Sequence, residues 1–534
     1  MHITRVHIEG FRRFRTFDLE LNPSFNIIVG DNETGKTSVL EAVGLVLTGQ
    51  YDGRLVQYAI DPYLFNAAIV ADYFQKRRKG EHGLPPRIVI EAYLQADDNA
   101  LAGLKGTNNS KNQDCPGLVL TIEIDNDHTE ELKSYAADGS NPTVLPVEFY
   151  RATWRSFAGN GVNLRILPFR AVMIDTSLAK VYRGPNSYVS QRVNDVLTEQ
   201  QRRELSLAYK KLRHGFMHEP GVTAINEDLE KRGNPATKKK LAVQMDMSSR
   251  SSWDSAFTPH LDDLPFDCAG KGEQCRVQMR LAIAGTKQSR VLLIEEPENH
   301  LSHSNLNMFM DDIKNDCADR QVIITTHSAY VLNKLGIDNL RLISHAGRTA
   351  QLTKLTPDTK RYFMKLPGYD TLRLILSVRS ILVEGPSDEL IVQRAYKDKH
   401  GRLPLEDGVD VIAVGSLAFK RFLEIAVLLE SDVRVVTDND KKVAELRDKY
   451  ADYLNGKHPN IKICYDMDER YPTLEPQLLK ANSRDTLNAI LGKTWADDSA
   501  LLAYMARNKT DCALKMLETA TAWVAPGYVS DAIE

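Results

Sequence analysis

The sequence predicts an α/β protein made of two sheet domains in series, and three observations carry that reading. A complete phosphate-loop pattern, Gly30-Asp31-Asn32-Glu33-Thr34-Gly35-Lys36-Thr37, stands between an apolar run and a helical pattern. An apolar run, Val291-Leu292-Leu293-Ile294, ends in the paired carboxylates Glu295 and Glu296. Past residue 366, strands again alternate with helical stretches, the pattern of a second parallel sheet.

In chain order, Ile3 to Ile8 alternates and Phe25 to Val29 is a short apolar run, so two strands precede the loop. Ser38 to Val43 continues from the loop at helical spacing, and Arg87–Leu94 and Gly117–Ile124 read as further strands of a first part, residues 1–181. Residues 182–252 turn polar and helical, rich in Gln, Arg and Lys, and are expected to form a helical insertion that serves dimerisation. Strands return at Val291–Ile294 and Gln321–Thr326, so residues 253–365 complete the first domain. The second domain, 366–534, opens with the strands Ser380–Glu384, Val409–Val414 and Val433–Asp438, with Leu390–Tyr396 and Phe419–Leu429 as helical stretches between them.

Composition narrows the function classes without choosing among them. A chain of 534 residues exceeds one core and fits two or three domains. With 43% hydrophobic and 26% charged residues and no uninterrupted apolar stretch of about 18, a membrane span is not expected. The opening Met1-His2-Ile3-Thr4-Arg5-Val6 lacks a signal-peptide pattern, so the expected location is cytoplasmic. Six scattered cysteines form no C-x-x-C pair and are read as reduced packing residues. A formal charge of −3 leaves any nucleic-acid contact to local basic patches.

The loop pattern is chemistry as much as conformation. Its glycines let backbone N–H groups close around phosphates, Lys36 brings an ammonium to the β- and γ-phosphates, and the Thr37 hydroxyl can ligate Mg²⁺. Gly30, Asn32, Gly35, Lys36, Thr37 and Ser38 are therefore the expected ATP contacts. Glu295 is the expected metal-linked carboxylate. Glu296, just past the strand end where an attacking water is held, is the expected general base. Asp267-Cys268-Ala269-Gly270-Lys271-Gly272-Glu273-Gln274 precedes a helix, and His327 follows the next strand.

The last two features resemble the signature motif and switch histidine of ATP-binding-cassette and chromosome-maintenance ATPases. That resemblance implies that Gly270, Gly272, Gln274 and His327 approach a nucleotide. In such ATPases the signature motif of one protomer covers the γ-phosphate bound by another, and one chain here holds one set, so a homodimer or higher homo-oligomer is expected. Ile8-Glu9-Gly10-Phe11-Arg12-Arg13-Phe14 also resembles the opening of RecF-like ATPases. The long coiled-coil arms of chromosome-maintenance proteins are missing, since the insertion is short and sustains no heptad repeat.

In the second domain, Val383-Glu384-Gly385-Pro386-Ser387-Asp388 and Thr437-Asp438-Asn439-Asp440 put carboxylates at two strand ends. Such clusters are costly unless a hard cation such as Mg²⁺ or Mn²⁺ neutralises them. Glu384-Gly385 followed by a D-x-D pair resembles the Toprim domain of topoisomerases, primases and certain nucleases. Together with the first domain it resembles the OLD (overcoming lysogenization defect) family of nucleases over nearly the whole chain. The resemblance implies a metal set of Glu384, Asp388, Asp438, Asp440 and Glu475, with Lys509 stabilising charge on the scissile phosphate. Ser416 reads equally as a phosphate contact or a helix cap. The implied protein is an ATP-regulated DNA endonuclease of prokaryotic antiviral defence, restrained in some cases by a partner protein or nucleic acid. The alternative is an ATP-driven DNA clamp or sensor whose Toprim domain is structural.

Overall fold

A computed structural model describes the chain except residues 52–53, 82, 97–98, 137–142, 165–166, 168–169, 176–196, 233–240, 246–252, 254–256, 285–288, 300, 344–348, 353, 366–368 and 416–417. Much of the expected insertion, and Ser416, lie outside the described residues.

The first domain stacks two sheets around the phosphate-loop helix. An antiparallel sheet runs in the order Phe14–Glu20, His2–Phe11, Ile88–Gln95, Cys115–Ile124, with Tyr150–Ser156 also paired to Cys115–Ile124. The strand Phe14–Glu20 was not anticipated: it is the short return arm of a hairpin whose partner carried the stronger apolar alternation. A second sheet orders Arg170–Asp175, Ser289–Glu295, Gln321–Thr325, Phe25–Val29 and Leu340–Ile343 in parallel, with Thr349–Gln351 antiparallel at the edge.

Helix Lys36–Thr48 lies between the sheets, buried on nearly every side by Val39, Leu40, Val43, Leu45, Val46 and Leu47. Val291 and Leu293 face this helix, while Leu292 and Ile294 face the outer helices His303–Asp316 and Ala329–Leu335. A strand covered on both faces has to be apolar throughout, which explains the continuous run read from sequence. The buried amide of Gln321 ties the sheets together, accepting from Ile3 N (2.8 Å) and donating to Ile3 O and Asn22 O (both 2.7 Å).

The second domain holds a four-stranded parallel sheet in the order Val409–Ala413, Arg379–Val383, Asp432–Val436, Ile461–Cys464. Helices Pro386–His400 and Gly527–Ala532 contribute to one core, with Ile381, Val383 and Val436. The other sheet face, through Leu382, Ile412 and Val435, joins a core that continues without a break into the outer helices of the first domain. Phe363, Leu372, Leu374 and Ile375 lie in this shared core. Phe363 packs edge-on to Phe422 with ring centroids 5.1 Å apart, and Glu424 accepts from both Thr356 Oγ1 (3.0 Å) and Thr359 Oγ1 (2.5 Å).

Candidate nucleotide and metal sites

Sterics demand the glycines of the phosphate loop. A Cβ on Gly30 would sit 2.5 Å from Ile343 O, and Gly35 has φ +96° with Phe14 Cζ 2.5 Å from where its Cβ would be. Either contact lies far inside van der Waals distance, so a side chain at these positions would force the loop open. Lys36 is buried and donates to the carbonyls of Gly30 (2.9 Å) and Asp31 (2.8 Å). Burial lowers its pKa, opposed by the nearby charges of Glu296, Asp31, Glu295 and Glu298. The Thr37 hydroxyl donates to Glu295, so the loop and the carboxylate strand meet as expected although 258 residues separate them.

Glu296 begins the turn after this strand with φ +41°, a left-handed conformation unusual for a side-chain-bearing residue. Its carboxylate accepts from Asn299 Nδ2 (2.8 Å) and stands 3.7 Å from His327 Nε2. Glu298, not singled out from sequence, accepts from Thr326 Oγ1 (2.8 Å) and from the backbone N–H of His327 (2.7 Å), fastening the turn of His327 to the carboxylate turn. Gln274 is buried and its amide donates to the carbonyls of Asp267 (3.1 Å) and Ala269 (2.8 Å). It therefore shapes the signature loop, while Gly270 opens helix Lys271–Ala284 and Gly272 lies in its first turn.

Beside the switch turn, a cavity of about 730 Å³ is lined by Asp31, Glu298 and His327 on one side and by Leu372, Arg373 and Asp410 on the other. Arg373 pairs with Asp410 at 2.6 Å and reaches Glu389 at 3.8 Å, next in sequence to Asp388. Arg373 thus lines the same cavity as His327 and also pairs with the helix that carries Asp388.

That second site is built on strand ends and helix starts. Glu384, after Arg379–Val383, accepts from Thr437 Oγ1 (2.7 Å) and from Asp438 N (3.1 Å), which brings the two motifs together. Asp388, in the first turn of Pro386–His400, accepts from Gly385 N at 3.1 Å. Burial, then the charge of Glu384, pushes Asp388 up to about 6. Asp438 goes up to about 8 through burial and the charges of Asp388, Glu384, Glu475 and Asp440. Asp440 is exposed at the rim with φ +49°. Glu475 is buried, accepts from Thr473 Oγ1 (2.9 Å) and pairs with Lys509 at 3.1 Å. Burial works to lower the Lys509 pKa, but Glu475, Asp438 and Asp388 outweigh it and the net shift is upward.

Among the described residues no three His, Cys, Asp or Glu side chains are gathered closely enough to enclose an ion as they stand. The donor chemistry nevertheless suits a hard cation: several carboxylates, two of them held far from their ordinary pKa by burial and mutual repulsion. The repulsion has a measurable consequence. The native state binds protons on Asp438 and Asp388 more tightly than the unfolded chain, whose carboxyls titrate near the ordinary 3.8. Their contribution to stability is therefore greatest below about pH 4 and is lost as pH rises towards about 8. The metal-free melting midpoint should fall over that window, less steeply in Asp438→Asn, and Mn²⁺ should restore it. An identical pH slope in parent and variant would contradict this electrostatic picture.

Comparison with known proteins matches both domains. Residues 2–350 match the family described as the RecF/RecN/SMC N-terminal domain, and residues 375–440 match the overcoming lysogenization defect protein-like TOPRIM domain. The chain belongs to the RecF/RecN/SMC N-terminal domain family, with an ATPase-type head, and it joins that head to an OLD-like Toprim domain. Curated relatives match over short stretches of this chain. The DNA replication and repair protein RecF of Actinobacillus pleuropneumoniae serotype 5b is 35% identical over 92 residues, 15% of this chain and 26% of its own length. That of Cronobacter sakazakii is 36% identical over 77 residues, 14% and 22% respectively. The match thus spans about a quarter of these relatives. Among solved structures, the SMC head domain from Thermotoga maritima is similar at 14% identity and TM-score 0.30, covering 64% of this chain and 94% of that one. The C-terminal region of the Xanthomonas campestris pv. campestris OLD protein is similar at 18% identity and TM-score 0.25, covering 30% and 92%. Among the described residues, no helix is long and apolar enough to cross a membrane.

Proposed function

We propose that this chain is an ATP-regulated, divalent-metal-dependent DNA endonuclease, cytoplasmic and acting in prokaryotic antiviral defence. The observation that carries the reading is the second carboxylate cluster, where Asp438 is crowded by Asp388, Glu384, Glu475 and Asp440 at the end of a parallel sheet. A charge cluster of this kind is destabilising in a protein that makes no use of it.

A bound Mg²⁺ or Mn²⁺ would neutralise the cluster and polarise a phosphodiester for attack by water. Glu384, Asp388, Asp438, Asp440 and Glu475 are the oxygen donors that would hold it. Lys509 keeps its proton, and its ammonium has donors beyond the one used on Glu475, so it can steady charge that builds on the scissile phosphate. In the head, Gly30, Asn32, Gly35, Lys36, Thr37 and Ser38 hold ATP, Thr37 and Glu295 serve its Mg²⁺, and Glu296 is the general base. His327, and Gly270 and Gly272 of a second copy, approach the γ-phosphate. ATP controls assembly or access, and the cavity lined by both His327 and Arg373 supports such coupling.

Plasmid DNA incubated with each divalent metal, with and without ATP, tests the reading. Metal-dependent cleavage that ATP modulates is expected. ATP turnover and DNA binding without cleavage under any metal would instead favour a clamp or sensor.

Self-association belongs to the same proposal, because one chain holds one loop Gly30–Thr37 and one signature segment. Leu212, Phe216 and Ile225 stand 53–68% exposed on the helices Glu199–Phe216 and Pro220–Arg232, apolar side chains open to a second copy. Light scattering of Glu296→Gln with ATP should give at least twice the mass of one chain. A strict monomer with full ATPase activity would remove the argument for a shared site.

A further inference from the structure

We propose that Tyr528 is a positioning residue of the carboxylate site, its phenolic hydroxyl being the donor that orients the Asp438 carboxylate to take a divalent cation. The inference rests on the metal-binding reading above and adds a residue from outside every motif in the sequence.

The placement comes from packing. Helix Gly527–Ala532 lies against the strands Asp432–Val436 and Ile461–Cys464 and against helix Pro386–His400. Tyr528 shares its core with Val383, directly before Glu384, and with Val436. Val436 ends its strand, and Asp438 follows two residues beyond it. The opposite face belongs to another core, through Leu382 and Val435. Tyr528 thus packs beside the strand ends that lead into Glu384 and Asp438.

Its chemistry is unusual for so enclosed a position. Tyr528 is only 4% exposed, and its Oη has no hydrogen-bond partner. Buried hydroxyls nearly always find one, and an orphan at the edge of a functional site calls for a reason. Asp438, Asp388, Glu384 and Glu475 all act electrostatically on the phenol, Asp438 most strongly among them, and with burial they hold its pKa well above the ordinary 10.0. A phenol that keeps its proton remains a donor, and the acceptors around it are these carboxylates. Glu384 already has donors in Thr437 Oγ1 and Asp438 N. With a cation held on one side, the Asp438 carboxylate would still have lone pairs to accept from this phenol. A hydrogen bond from the far side of a ligating carboxylate fixes its direction and raises its affinity for the ion.

Tyr528→Phe deletes the hydroxyl and keeps the ring. In the full-length chain without nucleotide, Mn²⁺ binding measured calorimetrically should weaken about tenfold or more, the range for losing an outer-shell partner of a metal ligand. The Mn²⁺-induced rise in melting midpoint should shrink in step. The metal-free midpoint should hold or rise, because an unpaired buried hydroxyl has been removed, and ATP turnover should not change. A purely structural tyrosine would give the opposite pattern. Parent-like Mn²⁺ affinity in Tyr528→Phe, or a lowered metal-free midpoint, overturns the proposal. Asp438→Ala separates the two readings. If Asp438→Ala loses Mn²⁺ binding while Tyr528→Phe keeps it, only the role of Tyr528 falls. If Asp438→Ala also binds Mn²⁺ like the parent, the metal site itself falls, and the role of Tyr528 with it.

Discussion

Lys36→Ala is expected to lower ATP turnover on the order of a hundredfold to a thousandfold, the cost of removing one preorganised donor from developing phosphate charge. Its ammonium is buried and held by two loop carbonyls, Gly30 O and Asp31 O, so no neighbouring cation can take its place without rebuilding the loop. Glu296→Gln should behave differently. It keeps the Thr37 and Glu295 pair and so should still bind ATP, while hydrolysis slows for want of a base. Phosphate release and nucleotide binding, measured side by side, separate the two variants. Normal turnover in both would reject this site as the place of ATP hydrolysis.

Asp438→Ala is expected to abolish metal-dependent DNA cleavage. Loss of a hard-cation ligand forfeits several kcal/mol of charge stabilisation, which at about 1.4 kcal/mol per tenfold is roughly a thousandfold in rate. The variant should fold at least as well as the parent in metal-free buffer near pH 8, since it removes a carboxylate crowded by four others. ATP hydrolysis should survive, because the two carboxylate sites stand on different sheets. Lys36→Ala, conversely, leaves the second cluster whole and should alter only the control of cleavage. Cleavage at the parental rate by Asp438→Ala under every metal tested would make the clamp or sensor the better account.

Much of both sites was legible because their chemistry is local in sequence. A phosphate loop needs glycines at fixed offsets between a strand and a helix, and at Gly30 and Gly35 those offsets coincide with positions where a Cβ would collide. The carboxylate run after Val291–Ile294 and the Glu384 and Asp438 strand ends were equally plain, since a parallel sheet covered on both faces must end its apolar strands in polar residues. Reading Leu390–Tyr396 as helical was correct in type and short in extent. The helix runs from Pro386 to His400 because its first turn, bearing Asp388, is polar and gives no apolar period.

The sequence by itself determined which residue types stand at the two sets of strand ends, because backbone sterics and strand or helix period act over a few residues and leave a local record. Only the tertiary structure decided what supports them. Phe14 closes on Gly35, Glu298 fastens the turn of His327, Arg373 bridges to Asp410 and Glu389, and Tyr528 joins the core of Val383 and Val436. None of these pairs has a fixed spacing. Each is set by which faces of two sheets and their helices bury one another, and burial is proportional to area and indifferent to order along the chain.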